Sequence, residues 1–553
     1  MSVVKVGGGW AFARAPGNDD KRPILVARCY GHEPESIDGV LLGYVEQFAY
    51  VEAWALTPEG EIDSGICTEE PEQFWHWASG YARGRSTKAS KRKGRAVLLI
   101  LVDANRELAM LGKPDHYQWR AGKSGPCGHT TDRLALNRPP DAPGMFLGKL
   151  EGTEWHGSFD VRQLGNWHAE GNYSEALSID SAVTWVQSYR RMLTEHGLGP
   201  KLEGTLASQA KRSFRRHLAE HRIDGIRAHR NAELHAFEHG VMAHQSPLRF
   251  HRAGFYGVLY HLDFTAHYVS IMATERLPRE AVNYWPEGCP VEQIEGTIRA
   301  GKCVLARVRM ENGEHWITTP DFDAERTIEV MQAASYAAGE RSGLASWAQR
   351  IFEVRQRVSA TDPTLARSVK GIGNGLWGAL AQRNWHCEPQ DQRPAHLAQF
   401  EGPVSCKVDN YGRAWCIDAE GTYYERKPQA LARDRYFALG AHMIAHGRAK
   451  TEQLAEQVEL VYAHTDSVWS LDPVVGTTAF PHGNQIGGLG VERVRNVEFG
   501  EDGSRIIDGV LDAAAGGAPK RDGRFYDDFE NDEGRRAYLS PGTHGALFRR
   551  LTG

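Results

Sequence analysis

Two strand-like runs, Val458–Ala463 and Val468–Leu471, are separated by only the four residues His464–Ser467 (HTDS). So short a break between apolar runs leaves room for a tight turn and little else, and the segment reads as a β-hairpin with Asp466 near its tip. Gly257–Leu262 (GVLYHL) reads as another strand, and it ends at Asp263. One aspartate at a strand end and another at a hairpin tip are placed to share divalent metal ions.

Between these elements the spacing turns helical. Leu344, Trp347, Ile351, Val354 and Val358 recur at the interval of an amphipathic helix. The turn Ser359–Asp362 follows, Pro363 suits a first helical position, and a second helix is expected to run to about Arg383. Residues 343–383 thus read as a helical hairpin. On the second helix Arg367, Lys370 and Asn374 share one face. Four glycines (371, 373, 375 and 378) crowd the same helix, each costing roughly 1 kcal/mol against alanine. Either close approach of a base pair to the helix backbone or a helix–helix seam would account for them. Two carboxylates, metal and a cationic helix are the minimum equipment for nucleotidyl transfer.

The bulk properties restrict the alternatives. At 553 residues the chain should form several domains. A net charge of −5 gives no global attraction to nucleic acid, so DNA contacts must come from local basic clusters. Arg212, Arg215 and Arg216 are one such cluster, on a helix-like stretch over 205–217. Eight cysteines without a Cys-x-x-Cys pair argue against a zinc ribbon and a disulfide framework. The histidines at 217, 221, 229, 235, 239 and 244 repeat no ligand spacing with a Cys or Glu partner, and are read as not binding metal. No apolar run approaches a membrane span and the first residues do not read as a signal peptide, so a soluble, cytoplasmic protein is expected.

The three stretches Asp263–Ser270 (DFTAHYVS), Lys370–Gly378 (KGIGNGLWG) and Tyr462–Ser467 (YAHTDS) resemble motifs A, B and C of family B DNA polymerases, in chain order. Asp263, Tyr268, Ser270 and Ile271 match the first motif, Lys370, Asn374 and Gly378 the second, and Tyr462, Thr465, Asp466 and Ser467 the third. Similarity extends to Thr205–His217, to a helix expected over Arg426–Ala449, and to Ala515–Lys520, as in the protein-primed phage and plasmid branch.

The resemblance implies an α+β polymerase right hand, with an antiparallel palm sheet, helical fingers and a small or reduced thumb. An N-terminal ribonuclease-H-like, exonuclease-type domain would precede it. The expected division is an exonuclease-like domain over 1–200, linker helices and palm over 201–342, fingers over 343–383, palm over 384–500 and a reduced thumb over 501–553. The implied activity is DNA-directed DNA polymerisation, with two Mg²⁺ (or Mn²⁺) ions held by Asp263, Asp466 and the backbone carbonyl of Phe264. Lys370 would act on the triphosphate, with Asn374, Arg355 and Arg367 binding the nucleotide, and Tyr268 would be the steric gate under the sugar. Arg212, Arg215, Arg216 and Lys520 would contact DNA. Implied partners are primer–template DNA, deoxynucleoside triphosphates and a terminal protein or replication accessory protein, in a bacterial or phage-infected cell.

Departures from the pattern are informative. His464 replaces the usual first aspartate of motif C, and Ala266 and His267 replace Ser-Leu in motif A. After Ile24–Ala27 comes Arg28-Cys-Tyr30 in place of Asp-x-Glu, and Asp103–Glu107 (DANRE) stands in place of the usual Asn-x-x-x-Asp; Asp103, Glu107 and Asp160 are the carboxylates to which any 3′ trimming would point. Proofreading is therefore expected to be absent. A primase-like or de novo initiating polymerase and a degenerate DNA-binding scaffold are the competing readings.

Overall fold

A computed structural model describes residues 3–5, 10–11, 24–32, 47–57, 60–83, 98–101, 117–119, 147–150, 153–156, 179–199, 202, 206–339, 342–381, 385–390, 392, 395, 404–408, 414–417, 423–428, 435–473, 480–500 and 505–513. The N-terminal part contains β1 (Ile24–His32), β2 (Gln47–Leu56), β3 (Ile62–Thr68), helix α1 (Pro71–Arg83) and β4 (Leu98–Leu101). They form a four-stranded sheet in the order β3-β2-β1-β4, in which only β1 and β4 run parallel. Ile24, Leu25, Val26 and Ala27 are all fully buried, as the unbroken apolar run requires of a strand covered on both faces. The apolar run at 40–43, and Asp103, Glu107 and Asp160, lie outside the described residues.

Helices α2 (Ile179–Glu195), α3 (Leu206–His221) and α4 (Ala232–Ala243) lead into β5 (Arg249–His251), β6 (Gly254–Phe264) and α5 (His267–Thr274). A five-stranded antiparallel sheet follows, built from β7 (Pro278–Trp285), β8 (Cys303–Met310), β9 (Gly313–Thr318) and β10 (Glu329–Ala338), with Val4–Lys5 at one edge and helix α6 (Val291–Arg299) after β7. This sheet is separate from the one that carries Asp263.

The helical hairpin is α7 (Leu344–Ser359) and α8 (Pro363–Ala381), with Asp362 capping α8 by accepting from the Leu365 N–H at 3.0 Å. Next come β11 (Trp385–Gln390), β12 (Val404–Val408), β13 (Ala414–Ile417) and β14 (Tyr423–Pro428), a second small antiparallel sheet. Arg426 therefore lies on a strand, and the helix before motif C begins only at α9 (Phe437–Ala455). Pro428 closes the strand and cannot continue a helix from it.

The remaining elements are β15 (Leu460–His464), β16 (Ser467–Ser470), β17 (Leu489–Phe499), β18 (Arg505–Ile507) and β19 (Val510–Ala513). They join β5 and β6 in a seven-stranded sheet ordered β5-β15-β16-β6-β17-β18-β19. Residues 505–513, expected in a thumb, thus continue the carboxylate sheet.

One core joins the helices to the sheet. Trp347 of α7 is fully buried, packs edge-on to Phe214 of α3 and donates its indole N–H to Ser213 at 3.1 Å. Val269 of α5, Ile351 of α7 and Ile372 and Leu376 of α8 complete the contact between helical hairpin and motif A. Burying each such large apolar side chain is worth roughly 2–3 kcal/mol. Among the described residues no helix is long and apolar enough to cross a membrane.

Candidate active site

Side chains alternate along β6: Leu262 and Phe264 are buried in the core beneath the sheet, which leaves Asp263 on the opposite face. Because β6 lies between β16 and β17, Asp263 is central in the sheet. Asp263 is in register with Ser467, Ser467 with His464, and His464 with Arg249. Residues in register share a face, so Arg249, His464, Ser467 and Asp263 form a transverse row. The Phe264 N–H donates to the Asp466 carbonyl at 3.4 Å, bringing the hairpin tip alongside the end of β6.

Backbone geometry fixes the direction of Asp466. Thr465, the residue before it, has φ of 61°, a conformation that a β-branched residue rarely adopts. Three contacts hold it there. Its N–H donates to Leu248 (3.3 Å), its carbonyl accepts from the Thr451 hydroxyl of α9 (2.9 Å), and its own hydroxyl meets His464 Nδ1 (2.8 Å). Ala266, three residues past Asp263, is also left-handed, with φ of 55°. Departures of this kind persist only where the surroundings impose them, and they cluster at functional sites.

The electrostatics follow from this crowding. Burial, together with the charge of Asp466, pushes the Asp263 carboxyl up to about 6, while Lys370 and Arg355 pull the other way. Asp466 is raised as well, mainly by burial, with Lys370 again opposing. Two half-buried carboxylates, both raised by burial and Asp263 further by the charge of Asp466, are a donor set suited to hard divalent cations.

Lys370 is exposed on α8, and Asn374, one turn on, is half-buried. Trp377 continues that face and its ring lies 5.0 Å from the ring of Tyr268. Burial and the Asp466 charge push the Tyr268 hydroxyl up to about 12, against the pull of Arg249, so it stays protonated. A Cβ at Gly373 would stand 2.9 Å from Val269 and 3.1 Å from Ile351, which identifies this glycine with a packing seam. At Gly378 a Cβ would meet open space.

The structure therefore brings Asp263, Phe264, Tyr268, Arg355, Lys370 and Asp466 together, with Tyr462, His464, Thr465 and Ser467 around the hairpin. Arg367 is exposed one turn before Lys370. Arg212, Arg215 and Arg216 stand on α3. Arg216 pairs with Glu220 at 2.6 Å, and Glu220 also accepts from Arg350 of α7 at 3.1 Å. Lys520 lies outside the described residues.

Sequence reading missed three contributors. Arg249 stands in register with His464, but nothing in its flanking sequence marks a strand of three residues. Lys450 of α9 donates to Ser270 (3.2 Å) and lies over the Phe264 ring at 4.6 Å, a cation–π contact beneath the site. His261, two residues before Asp263 and so on its face, meets Ser467 Oγ at 2.8 Å and stacks on Trp469. Burial holds His464 down at about 4, with Arg249 and Arg505 acting in the same direction, so the imidazole is neutral at pH 7.

No protein-family model matches the chain, and no curated protein matches it in sequence. Among solved structures, phi29 DNA polymerase complexed with primer-template DNA and incoming nucleotide aligns over 92% of this chain and 94% of its own length, with a TM-score of 0.55 and 10% identity. The same polymerase complexed with single-stranded DNA aligns over 89% of this chain and 90% of its own, with a TM-score of 0.53 and 10% identity. Its orthorhombic crystal form gives 91%, 90% and 0.54, again at 10% identity. Likeness at this identity is one of architecture. The chain has an α+β fold similar to that of phi29 DNA polymerase.

Proposed function

We propose that this protein is a template-directed DNA polymerase that extends a 3′-hydroxyl with deoxynucleotides. The observation that carries the reading is the pair Asp263 and Asp466, held side by side by β6 and the β15–β16 hairpin against their mutual repulsion, with Lys370 facing both. Divalent ions, Mg²⁺ or Mn²⁺, would be held by the two carboxylates and the Phe264 carbonyl. When bound they would neutralise the charge that spreads over the reacting phosphate. Lys370 would bind the triphosphate through charge-assisted contacts, and Asn374 and Arg355 would orient it from α8 and α7. Tyr268, braced on Trp377, would close the sugar pocket to a 2′-hydroxyl. DNA, deoxynucleotides and a priming or accessory protein are the partners this reading implies.

The lack of an acidic pair on β1 supports a polymerase without 3′→5′ proofreading. At the positions where it would stand, Arg28 is buried and the Tyr30 hydroxyl donates to Glu52 at 3.2 Å. His464 is the observation that favours a second reading, a DNA-binding scaffold, because it removes one negative charge beside the metal ligands. One assay separates these readings: primer extension on a defined template with Mg²⁺ or Mn²⁺, with and without a supplied primer. Primer-dependent extension that Asp466→Ala abolishes, without trimming of a mispaired 3′ end, is the expected result. Extension without primer would favour initiation de novo, and DNA binding without extension would favour the scaffold.

A further inference from the structure

A second cluster of ligand-type side chains lies outside the carboxylate site, where α4 meets the five-stranded sheet. His229, His235 and Glu238 are 9%, 5% and 2% exposed. His235 and Glu238 are three residues apart on α4 and share its inward face. His229 precedes the helix, just after the short strand Arg227–Ala228. His229 Nε2 lies 3.0 Å from Glu238 Oε1, and His235 Nδ1 lies 3.5 Å from Glu238 Oε2. One ligand atom from each residue can be chosen so that all three fall within 4.8 Å of one another. From β10, Tyr336 donates its hydroxyl to Glu238 Oε1 at 2.8 Å.

The charge balance of this cluster is unusual. Among the described residues no Lys or Arg pairs with Glu238. Its hydrogen-bonding neighbours are two imidazoles and a phenol, at 3.0, 3.5 and 2.8 Å. An ionised carboxylate this deep needs a compensating positive charge, because an unneutralised buried ion costs several kcal/mol. Either a protonated imidazole or a bound cation can supply it.

We propose that His229, His235 and Glu238 bind one divalent transition-metal ion of the Zn²⁺ class, which pins α4 to the strand before it. Two imidazole nitrogens and one carboxylate oxygen form a donor set that suits Zn²⁺, whereas Mg²⁺ prefers oxygen alone. A tetrahedral shell with bonds near 2.1 Å puts neighbouring ligand atoms about 3.4 Å apart; one ligand atom from each residue already lies within 4.8 Å of the others, so a small inward shift of the side chains would complete the shell. His229, Glu238 and Tyr336 also border a crevice lined by Arg227, Pro278, Arg279 and Arg435. The site is built from different elements than the Asp263–Asp466 pair, so its occupancy does not depend on the polymerase reading.

The test uses the full chain, stripped with chelator, reloaded with Zn²⁺ in millimolar Mg²⁺ and desalted. Elemental analysis should find one Zn²⁺ per chain, and the thermal midpoint should rise on reloading. Co²⁺ in place of Zn²⁺ should give the visible absorption of a low-coordinate nitrogen–oxygen site. His235→Gln and Glu238→Gln should each weaken Zn²⁺ binding at least tenfold, whereas Asp263→Asn with Asp466→Asn should leave it unchanged. Should the Glu238 variant fail to fold, His229→Gln decides the matter, since its amide can still donate to Glu238. The proposal is overturned if wild type retains no Zn²⁺ above the His229→Gln level. It is also overturned if NMR of the reloaded protein shows protonated His229 or His235, for the cluster is then an ion pair.

Discussion

Asp263→Asn should stabilise the metal-free protein at neutral pH while abolishing nucleotide incorporation. The Asp263 carboxyl sits at about 6 in the folded chain against an ordinary 3.8. That difference is about two units, each worth 1.36 kcal/mol, so ionising Asp263 costs the fold up to about 3 kcal/mol. Partial exposure of the carboxylate to water makes this a ceiling. The sign follows from the direction of the shift. A folded-state value above the unfolded one contributes stability that is fully present below about pH 4 and disappears as pH rises through about 6. Asparagine has the same shape and does not titrate, so it escapes the loss.

The assay is thermal unfolding of wild type and Asp263→Asn from pH 4 to pH 8, in chelator and then in Mg²⁺. In chelator the two midpoints should coincide near pH 4 and separate above pH 6, with the variant higher by a few degrees. Mg²⁺ should raise the wild-type midpoint and leave the variant almost unmoved, because only the ionised pair gains from the cation. A variant midpoint at or below wild type at pH 8 in chelator, or a difference that does not shrink on acidification, would refute the claim that the fold holds these carboxylates against their repulsion.

Lys370→Ala should raise the KM for nucleotide far more than the Kd for DNA, read from steady-state kinetics and a DNA titration. The opposite split would move α8 onto the duplex. Replacing Tyr268 by Ala should increase ribonucleotide use relative to deoxyribonucleotide, and an unchanged ratio would take the ring out of the sugar pocket. Gly373→Ala gains about 1 kcal/mol of helix propensity but costs roughly 1–3 kcal/mol of overpacking against Val269 and Ile351. A lowered thermal midpoint is therefore expected, and a raised one would remove Gly373 from the seam.

Much of the site could be read from local pattern because its parts are locally encoded. The HTDS turn demanded a hairpin, Pro363 and the turn ending at Asp362 marked the start of α8, and the apolar run Gly257–Leu262 put Asp263 at a strand end. What stayed hidden depends on register between distant segments. Arg249 joins the row beside Asp263 only because a three-residue strand pairs with β15, and no periodicity announces three residues. The five-stranded sheet, with four strands over 278–338 and Val4–Lys5 at its edge, and the addition of β18 and β19 to the carboxylate sheet are also set by pairing between segments. Glu238 was overlooked as a partner of His229 for the same reason. Their spacing of nine residues fits no ligand motif until the turn before α4 folds them together.

His464 bears on whether the site is kept for chemistry or survives as scaffold. An aspartate there would place a third carboxylate in the row with Asp263 and Ser467, and would raise its neighbours' pKa values further. A neutral imidazole avoids that repulsion, and its hydrogen bond to the Thr465 hydroxyl helps keep the turn left-handed. The substitution thus removes one charge and retains the geometry that aims Asp466. The remaining pair stays costly. Two half-buried acids repel each other, braced by unfavourable backbone at Ala266 and Thr465, with Lys370 and Arg355 offsetting only part of their charge. Structural needs alone would be met at lower free energy by an amide at either position. A cation bridging Asp263 and Asp466 would turn that repulsion into binding free energy, and this is the physical reason to favour a working polymerase over a scaffold.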